Sequence, residues 1–220
     1  DKVLREFGKT IKNPVYFSRK EKPSKGAYLD GRIIRYFDGK DDYEVMSVDD
    51  MHLFGNHNYE NVMAAIAMTI EAGVPLNIII NVIKDFMGVE HRIEYVRDKN
   101  GVRYYNDSKG TNPDSSIKAL EAMSRPTILI AGGYDKHSEF DEFIEAFDNK
   151  VKLMVLLGQT ADKIEETAVR HGFTNIIKTD SLEKAVKICA ENAVSGDVVL
   201  LSPACASWGM FKNYEERGKL

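Results

Sequence analysis

Tyr104-Tyr105-Asn106-Asp107-Ser108-Lys109-Gly110-Thr111-Asn112-Pro113 is the stretch whose reading decides the fold. Val102 to Tyr105 reads as a strand. Pro113, at a first helical position with Asn112 before it as a cap, opens a helix carrying Ile117 and Leu120. Asp107, Ser108, Lys109 and Thr111 therefore lie on a loop leaving the carboxyl end of a strand, where open α/β sheets bind ligands. A cation, a carboxylate and two hydroxyls on one short loop suit an anionic ligand. Taken alone, the loop is more simply an ordinary polar turn.

Downstream the pattern repeats. Apolar, β-rich runs at 127–131, 151–157, 175–178 and 197–202 alternate with helical patterns near 113–123, 138–148, 160–171 and 181–193. The last helix shows the stripe Leu182, Ala185, Val186, Cys189, Ala190, Ala193, which predicts a buried Cys189 thiol. Strand–helix alternation means an α/β fold, a mostly parallel sheet with helices on both faces. Just upstream, 93–97 and 101–106, joined by Asp98-Lys99-Asn100-Gly101, read as a hairpin.

The first half reads differently. Short β-type runs at 15–18, 27–29, 32–37 and 43–46 are broken by turns, with a hairpin signal at Asp30-Gly31. Helical patterns follow at 58–72, ending near Gly73, and from Pro75 to Gly88. The four strands do not close a core by themselves. Residues 1–90 are expected to be the incomplete α+β tail of a domain that begins upstream, and 91–220 a second domain.

Composition excludes several classes. With 220 residues, 43% hydrophobic content, 29% charge and a net charge of −4, the chain is globular and not built for nucleic acid. Two cysteines make no disulfide framework and lack metal-pair spacing. No stretch reaches the roughly 18 apolar residues of a membrane span. The opening Asp-Lys-Val-Leu-Arg-Glu lacks signal-peptide character. A cytoplasmic monomer is expected, with no membrane partner.

Two further strand ends carry unusual loops. Gly132-Gly133-Tyr134-Asp135-Lys136 combines glycines that allow close approach with a second cation. Ser202-Pro203-Ala204-Cys205-Ala206-Ser207-Trp208 has small residues that leave room for a ligand beside the Ser207 hydroxyl. The three loops should converge on one site for a small dicarboxylate or a phosphorylated ligand. No nucleophile–base pair is evident, and His137 reads as a solvated residue at a helix start. His52, His57 and His171 lack metal spacing. Neither a P-loop nor a G-x-G-x-x-G turn is present.

In order along the chain stand Gly55-Asn-His-Asn-Tyr-Glu-Asn61, His91-Arg92, Asn106-Asp-Ser-Lys-Gly-Thr-Asn112, Gly132-Gly-Tyr-Asp-Lys136, Leu201-Ser-Pro-Ala-Cys-Ala-Ser207 and Phe211-Lys-Asn-Tyr-Glu-Glu-Arg-Gly218. From about residue 50 onward this set resembles the ATP-dependent Mur ligases of bacterial peptidoglycan synthesis. The resemblance implies the end of a central ATPase domain followed by a Rossmann-like carboxyl-terminal domain that carries the amino acid. It also implies an activity: joining D-glutamate to UDP-N-acetylmuramoyl-L-alanine through an acyl phosphate made with ATP and Mg2+. The P-loop and the metal ligands would lie upstream, so the chain alone is expected to be inactive.

By the same resemblance, Asn61 faces the adenine of ATP, Arg92 its phosphates and Asp107 its ribose. Lys109, as the catalytic residue, and Thr111 orient D-glutamate. Lys136 pairs with the glutamate side-chain carboxylate, assisted by Ser207 and Tyr214. Gly209 departs from the family pattern, which implies an acidic residue after Trp208. Two other readings stay open: a sister ligase of the superfamily, either another muramyl ligase or a folylpolyglutamate synthase, and a non-catalytic Rossmann-type binding module.

Overall fold

Short β-branched and aromatic runs, closed by two helices, build the first of two units, Asp1–Gly88; the second is Val89–Leu220. The computed structural model describes residues 2–220. The opening residues, read from sequence only as lacking a signal peptide, form helix α1 (Lys2–Gly8). Strands β1 (Tyr16–Ser18), β2 (Gly26–Asp30), β3 (Ile33–Phe37) and β4 (Asp42–Ser47) follow, ordered β1-β2-β3-β4. β2 and β3 form the hairpin predicted at Asp30-Gly31. β1 pairs parallel to β2, and a Cβ on Gly26 would come 1.8 Å from the Tyr16 carbonyl oxygen, so only glycine permits the pairing.

Helices α2 (Asn56–Glu71) and α3 (Leu76–Asp85) are divided near Gly73 and Pro75, as the sequence predicts. Val62, Met63, Ile66 and Ala67 of α2 and Ile79 of α3 pack with Ala27, Ile34 and Tyr36. The helices thus supply the core that the strands lack.

The second unit opens with the antiparallel hairpin β5 (Glu94–Lys99) and β6 (Val102–Asn106). Then come α4 (Pro113–Ala122), β7 (Thr127–Ala131), α5 (Asp141–Glu145), β8 (Val151–Leu156) and α6 (Ala161–Arg170). The chain continues through β9 (Ile176–Lys178), α7 (Leu182–Asn192), β10 (Val198–Leu201) and α8 (Tyr214–Lys219). The sheet order is β5-β6-β10-β7-β8-β9, parallel except for β5. Leu182, Ala185 and the fully buried Cys189 of α7 cover one face, against Ile128, Ile130, Leu153 and Val155. Leu129, Met154 and Leu156, alternating with these, are fully buried on the other face, where α6 packs against β8.

β10, last of the strands in sequence, lies between β6 and β7, with Leu201 beside both Asn106 and Ile130. The loops after β6, β10 and β7 therefore leave adjacent strands at one edge of the sheet.

Besides α1, two elements differ from expectation. The helix predicted at 138–148 contracts to α5, which starts after Phe140 and ends before Ala146, and the chain then turns through left-handed φ of 42° and 58° at Asp148 and Asn149. Phe143 and Phe147 instead pack edge to face at 5.5 Å, and Phe147 meets Phe173 at 5.1 Å. His137 accordingly stands outside any helix, exposed, with φ 60°. Helix α8 was not foreseen. Among the described residues, no helix is long and apolar enough to cross a membrane.

Candidate functional site

The deepest layer of the site is a chain of buried polar groups under the 106–112 loop. Asp107 Oδ2 accepts from Ser202 Oγ at 2.6 Å, and the Ser202 and Ser116 hydroxyls lie 2.8 Å apart. At one end, Asp107 Oδ1 accepts from the Ile93 N–H (3.2 Å); at the other, Ser116 Oγ accepts from the Ala204 N–H (3.0 Å). Ile93 and Ala204 both have left-handed φ, 47° and 58°. A β-branched residue at positive φ is strained, and such strain persists only where surrounding contacts over-determine it. The Asp107–Ser202–Ser116 chain supplies those contacts.

Burial pushes the Asp107 carboxyl from its ordinary 3.8 up to about 6, against donation from Ser202 and Ile93. A carboxyl raised in the folded state binds its proton more tightly when folded. Its contribution to stability is complete below about pH 4 and lost as pH rises through about 6. Relative to Asp107→Asn, the natural chain should lose on the order of 3 kcal/mol across that interval. Urea-dependent hydrogen exchange of the β6 and β10 amides from pH 4 to 7 measures it; parallel curves for the two proteins would refute the assignment.

Helix α8 closes the site from above. Asn213 caps it, accepting from the Glu216 N–H at 2.8 Å, while Glu216 accepts from the Lys212 N–H. Arg217, only 3% exposed, donates to Ser108 Oγ (3.0 Å), Ser108 O (2.7 Å) and Cys205 O (3.1 Å). None of these is a carboxylate, and burial draws the guanidinium down to about 10. One side chain thus ties α8 to both the β6 and the β10 loops. Ser108 Oγ also donates to the Tyr214 carbonyl at 2.7 Å.

A second tie runs through Asn106. Its Oδ1 accepts from the Ser108 N–H, so its Nδ2 faces His91 Nδ1 (2.9 Å) and Gly218 O (3.0 Å). His91 packs so close that a Cβ on Gly218 would lie 2.4 Å from its Nδ1. The buried Nε2 of His91 has no hydrogen-bond partner, with Glu90 Oε1 3.5 Å away.

The residues singled out from sequence divide by place. Lys109, half-buried, donates from Nζ to Tyr214 Oη at 2.9 Å and lies 4.3 Å from that ring's centroid. Its backbone N–H bonds His91 O at 3.0 Å, and the Thr111 N–H bonds Lys109 O at 2.8 Å. Lys136 is exposed, 4.9 Å from the centroid of Trp208. Ser207, buried, lines a small recess with Gly132, Gly133, Met210, Phe211 and Arg217. The loops themselves meet: the Tyr134 N–H donates to Ala206 O at 2.9 Å, and Gly133 donates to Thr160 Oγ1 at 3.0 Å. Arg92 is exposed beside the buried His91, and Asn61 is exposed on α2 of the first unit. Asp107, matched to a ribose by resemblance, is 3% exposed, with both carboxylate oxygens accepting within the chain.

Sequence reasoning quoted Asn106, Ser202 and Arg217 within its motifs but gave them no role, and it did not single out Ser116. The Asn213–Glu216 capping pair was the legible signal for α8, and hence for Arg217 on it. Gly209, noted as a departure, has φ 82°, a left-handed position that favours glycine over an acidic residue. Among the described residues, no three His, Cys, Asp or Glu side chains gather into a set that could hold a metal ion.

Residues 91–205 match the family model for the Mur ligase glutamate ligase domain. The UDP-N-acetylmuramoylalanine–D-glutamate ligase of Lachnospira eligens is 62% identical over 100% of this chain and 49% of its own length. That of Lachnoclostridium phytofermentans is 53% identical over 94% of the chain and 45% of its length. The chain thus spans about half the length of these curated relatives. Similarity also reaches residues 1–50, where the motifs carried none.

Among solved structures, UDP-N-acetylmuramate–alanine ligase from Thermotoga maritima superposes with a TM-score of 0.63 at 15% identity, over 86% of this chain and 44% of the other. Folylpolyglutamate synthase from the same organism gives 0.56 at 16%, over 78% of this chain and 41% of the other. Those two likenesses establish the fold, and the matched glutamate ligase domain, covering more than half the chain, places it in the Mur ligase family.

Proposed function

We propose that this chain supplies the amino-acid-adding part of an ATP-dependent ligase that joins D-glutamate to UDP-N-acetylmuramoyl-L-alanine in bacterial peptidoglycan synthesis. The observation that carries the reading is the strand order. With β10 between β6 and β7, loops bearing Lys109 and Thr111, Ser207, and Lys136 leave neighbouring strands at one edge of one sheet. Two ammonium groups at that edge match the two carboxylates of a glutamate.

The reaction makes an acyl phosphate from the muramoyl-alanine carboxylate and ATP, and the glutamate amine then displaces phosphate. Most of what a protein contributes to such a step is orientation and charge stabilisation. Lys109, steadied by Tyr214, would stabilise negative charge at the reacting carbonyl and, with Thr111, orient the incoming amino acid. Lys136 and Ser207 would hold its side-chain carboxylate. Arg92 is assigned to the ATP phosphates and Asn61 to the adenine. Asp107 is assigned first to holding the loop, since its contact with a ribose requires the carboxylate to be uncovered. Mg2+ accompanies ATP and would be held by groups outside this chain. The setting proposed is the cytoplasm.

The test is Lys136→Ala in the full-length ligase. The KM for D-glutamate should rise roughly ten- to a hundredfold, as for loss of a hydrogen bond to a charged partner, with the KM for ATP unchanged. Equal rises for both substrates, or none, would sink the assignment.

A further inference from the structure

Lys136 is held in an unusual way. Among the described residues it forms no ion pair. Its ammonium instead lies 4.9 Å from the centroid of Trp208, the only tryptophan in the chain. Trp208 is 53% exposed and Tyr134 39%, and their rings meet at 5.5 Å, tilted by 60°. Two large aromatic rings exposed side by side at a sheet edge, with a cation on them, form a structured shelf rather than a solvated turn.

The backbone builds this shelf deliberately. Gly133 lets the β7 loop run against the β10 loop, since a Cβ there would meet Ala206 O at 2.4 Å. The Tyr134–Ala206 bridge then fixes Tyr134 beside the segment that bears Trp208. Gly209, in its left-handed turn, puts no side chain against the shelf; a Cβ there would meet only the Tyr134 ring, at 3.9 Å.

We propose that Trp208, supported by Tyr134, is the positioning residue for Lys136, holding its ammonium over the glutamate-binding edge with the charge unspent. The proposal rests on the assignment of Lys136 to the glutamate carboxylate. An aromatic face restricts a flexible four-carbon stem without neutralising the charge, because a quadrupole attracts the cation but carries no net charge of its own. A carboxylate partner would restrict the stem equally, and an incoming anion would then have to displace it. The aromatic shelf therefore lowers the ordering cost of binding, which appears in ligand affinity rather than in the chemical step.

The experiment is a set of kinetic measurements on the full-length ligase with Trp208→Leu, Trp208→Phe, Lys136→Ala and the double variant Trp208→Leu/Lys136→Ala. Trp208→Leu should raise the KM for D-glutamate roughly three- to tenfold, with kcat and the KM for ATP held. Trp208→Phe, which keeps a π face, should recover part of the loss. The double variant should be no worse than Lys136→Ala alone, because the shelf acts only through the lysine. A glutamate KM unmoved by Trp208→Leu while Lys136→Ala raises it would overturn the proposal and leave the assignment of Lys136 standing. So would losses that add, or a parallel rise in the KM for ATP. No effect of Lys136→Ala would overturn the assignment and the shelf with it.

Discussion

Arg217→Ala and Arg217→Met should each destabilise the second unit by about 3–5 kcal/mol, the balance left when three hydrogen bonds from a charged donor are lost and the desolvation of the guanidinium is recovered. The guanidinium satisfies Ser108 O, Ser108 Oγ and Cys205 O at once, and each is left without that donor when it goes. Two opposing effects set the size. Burial already disfavours the charge, drawing its pKa down to about 10, so deletion recovers some desolvation. Against that, three hydrogen bonds from a charged donor are lost, at roughly 1.5–3 kcal/mol each, and they outweigh the recovery.

Methionine separates the two contributions, since it retains the apolar stem and removes only the fork. Lysine keeps the charge but, as a single ammonium in place of the planar fork, should recover only part of the stability. Urea unfolding followed by hydrogen exchange in β6, β10 and α8 gives the values. An Arg217→Met chain within about 1 kcal/mol of the parent would mean that packing, not the fork, holds α8. On the proposed function, the same variants in the full-length protein should lower glutamate use, because Tyr214 rides on α8 and steadies Lys109.

Why Arg217 escaped the sequence reading, while Cys189 did not, is a matter of residue chemistry. Cys189 lies on a helical stripe of apolar neighbours, and periodicity alone buries it. Arg217 and Asp107 are ordinarily surface residues, and nothing in one chain marks a charge that tertiary contacts will enclose. Helix α8 has six residues, too short for a periodic signal, although Asn213 and Glu216 spell its start. The strands were legible because β-branched runs declare themselves, as at 127–131, where expectation and structure agree residue for residue. Their order was not. That β10 returns between β6 and β7 depends on packing across the whole sheet, and it is this return that brings the Lys109, Ser207 and Lys136 loops together. The sequence placed each loop at a strand end and led to the expectation that they converge; the crossover that brings them together is visible only in the fold.

Gly110→Ala should cost about as much as losing Arg217, although it adds only a methyl group. A Cβ at Gly110 would lie 2.5 Å from Asp107 Oδ2, 2.9 Å from Ser116 Oγ and 2.9 Å from Ser202 Oγ. Ser202 Oγ is hydrogen-bonded to each of the other two oxygens, and Asp107, Ser116 and Ser202 are almost wholly buried, so none can swing into water to make room. Overpacking of a filled interior costs about 1–3 kcal/mol, and breaking the Ser202–Asp107 hydrogen bond to a carboxylate adds roughly 1.5–3 kcal/mol. The sum is about 2.5–6 kcal/mol on those two ranges, which brackets the cost of losing Arg217.

Strain at Ile93 and Ala204 would be released as the chain that holds them parts, and Lys109, one residue from the new methyl, would leave Tyr214. Stability and glutamate use should therefore fall together. Adding Ser116→Ala removes one of the three obstructing oxygens, and the double variant should cost less than the sum of the single ones. Hydrogen exchange of the Ile93 and Ala204 amides reads the outcome directly. Protection of both amides unchanged in Gly110→Ala would show that the loop has room for a side chain, and that the Asp107–Ser202–Ser116 chain does not hold these residues in their left-handed conformations.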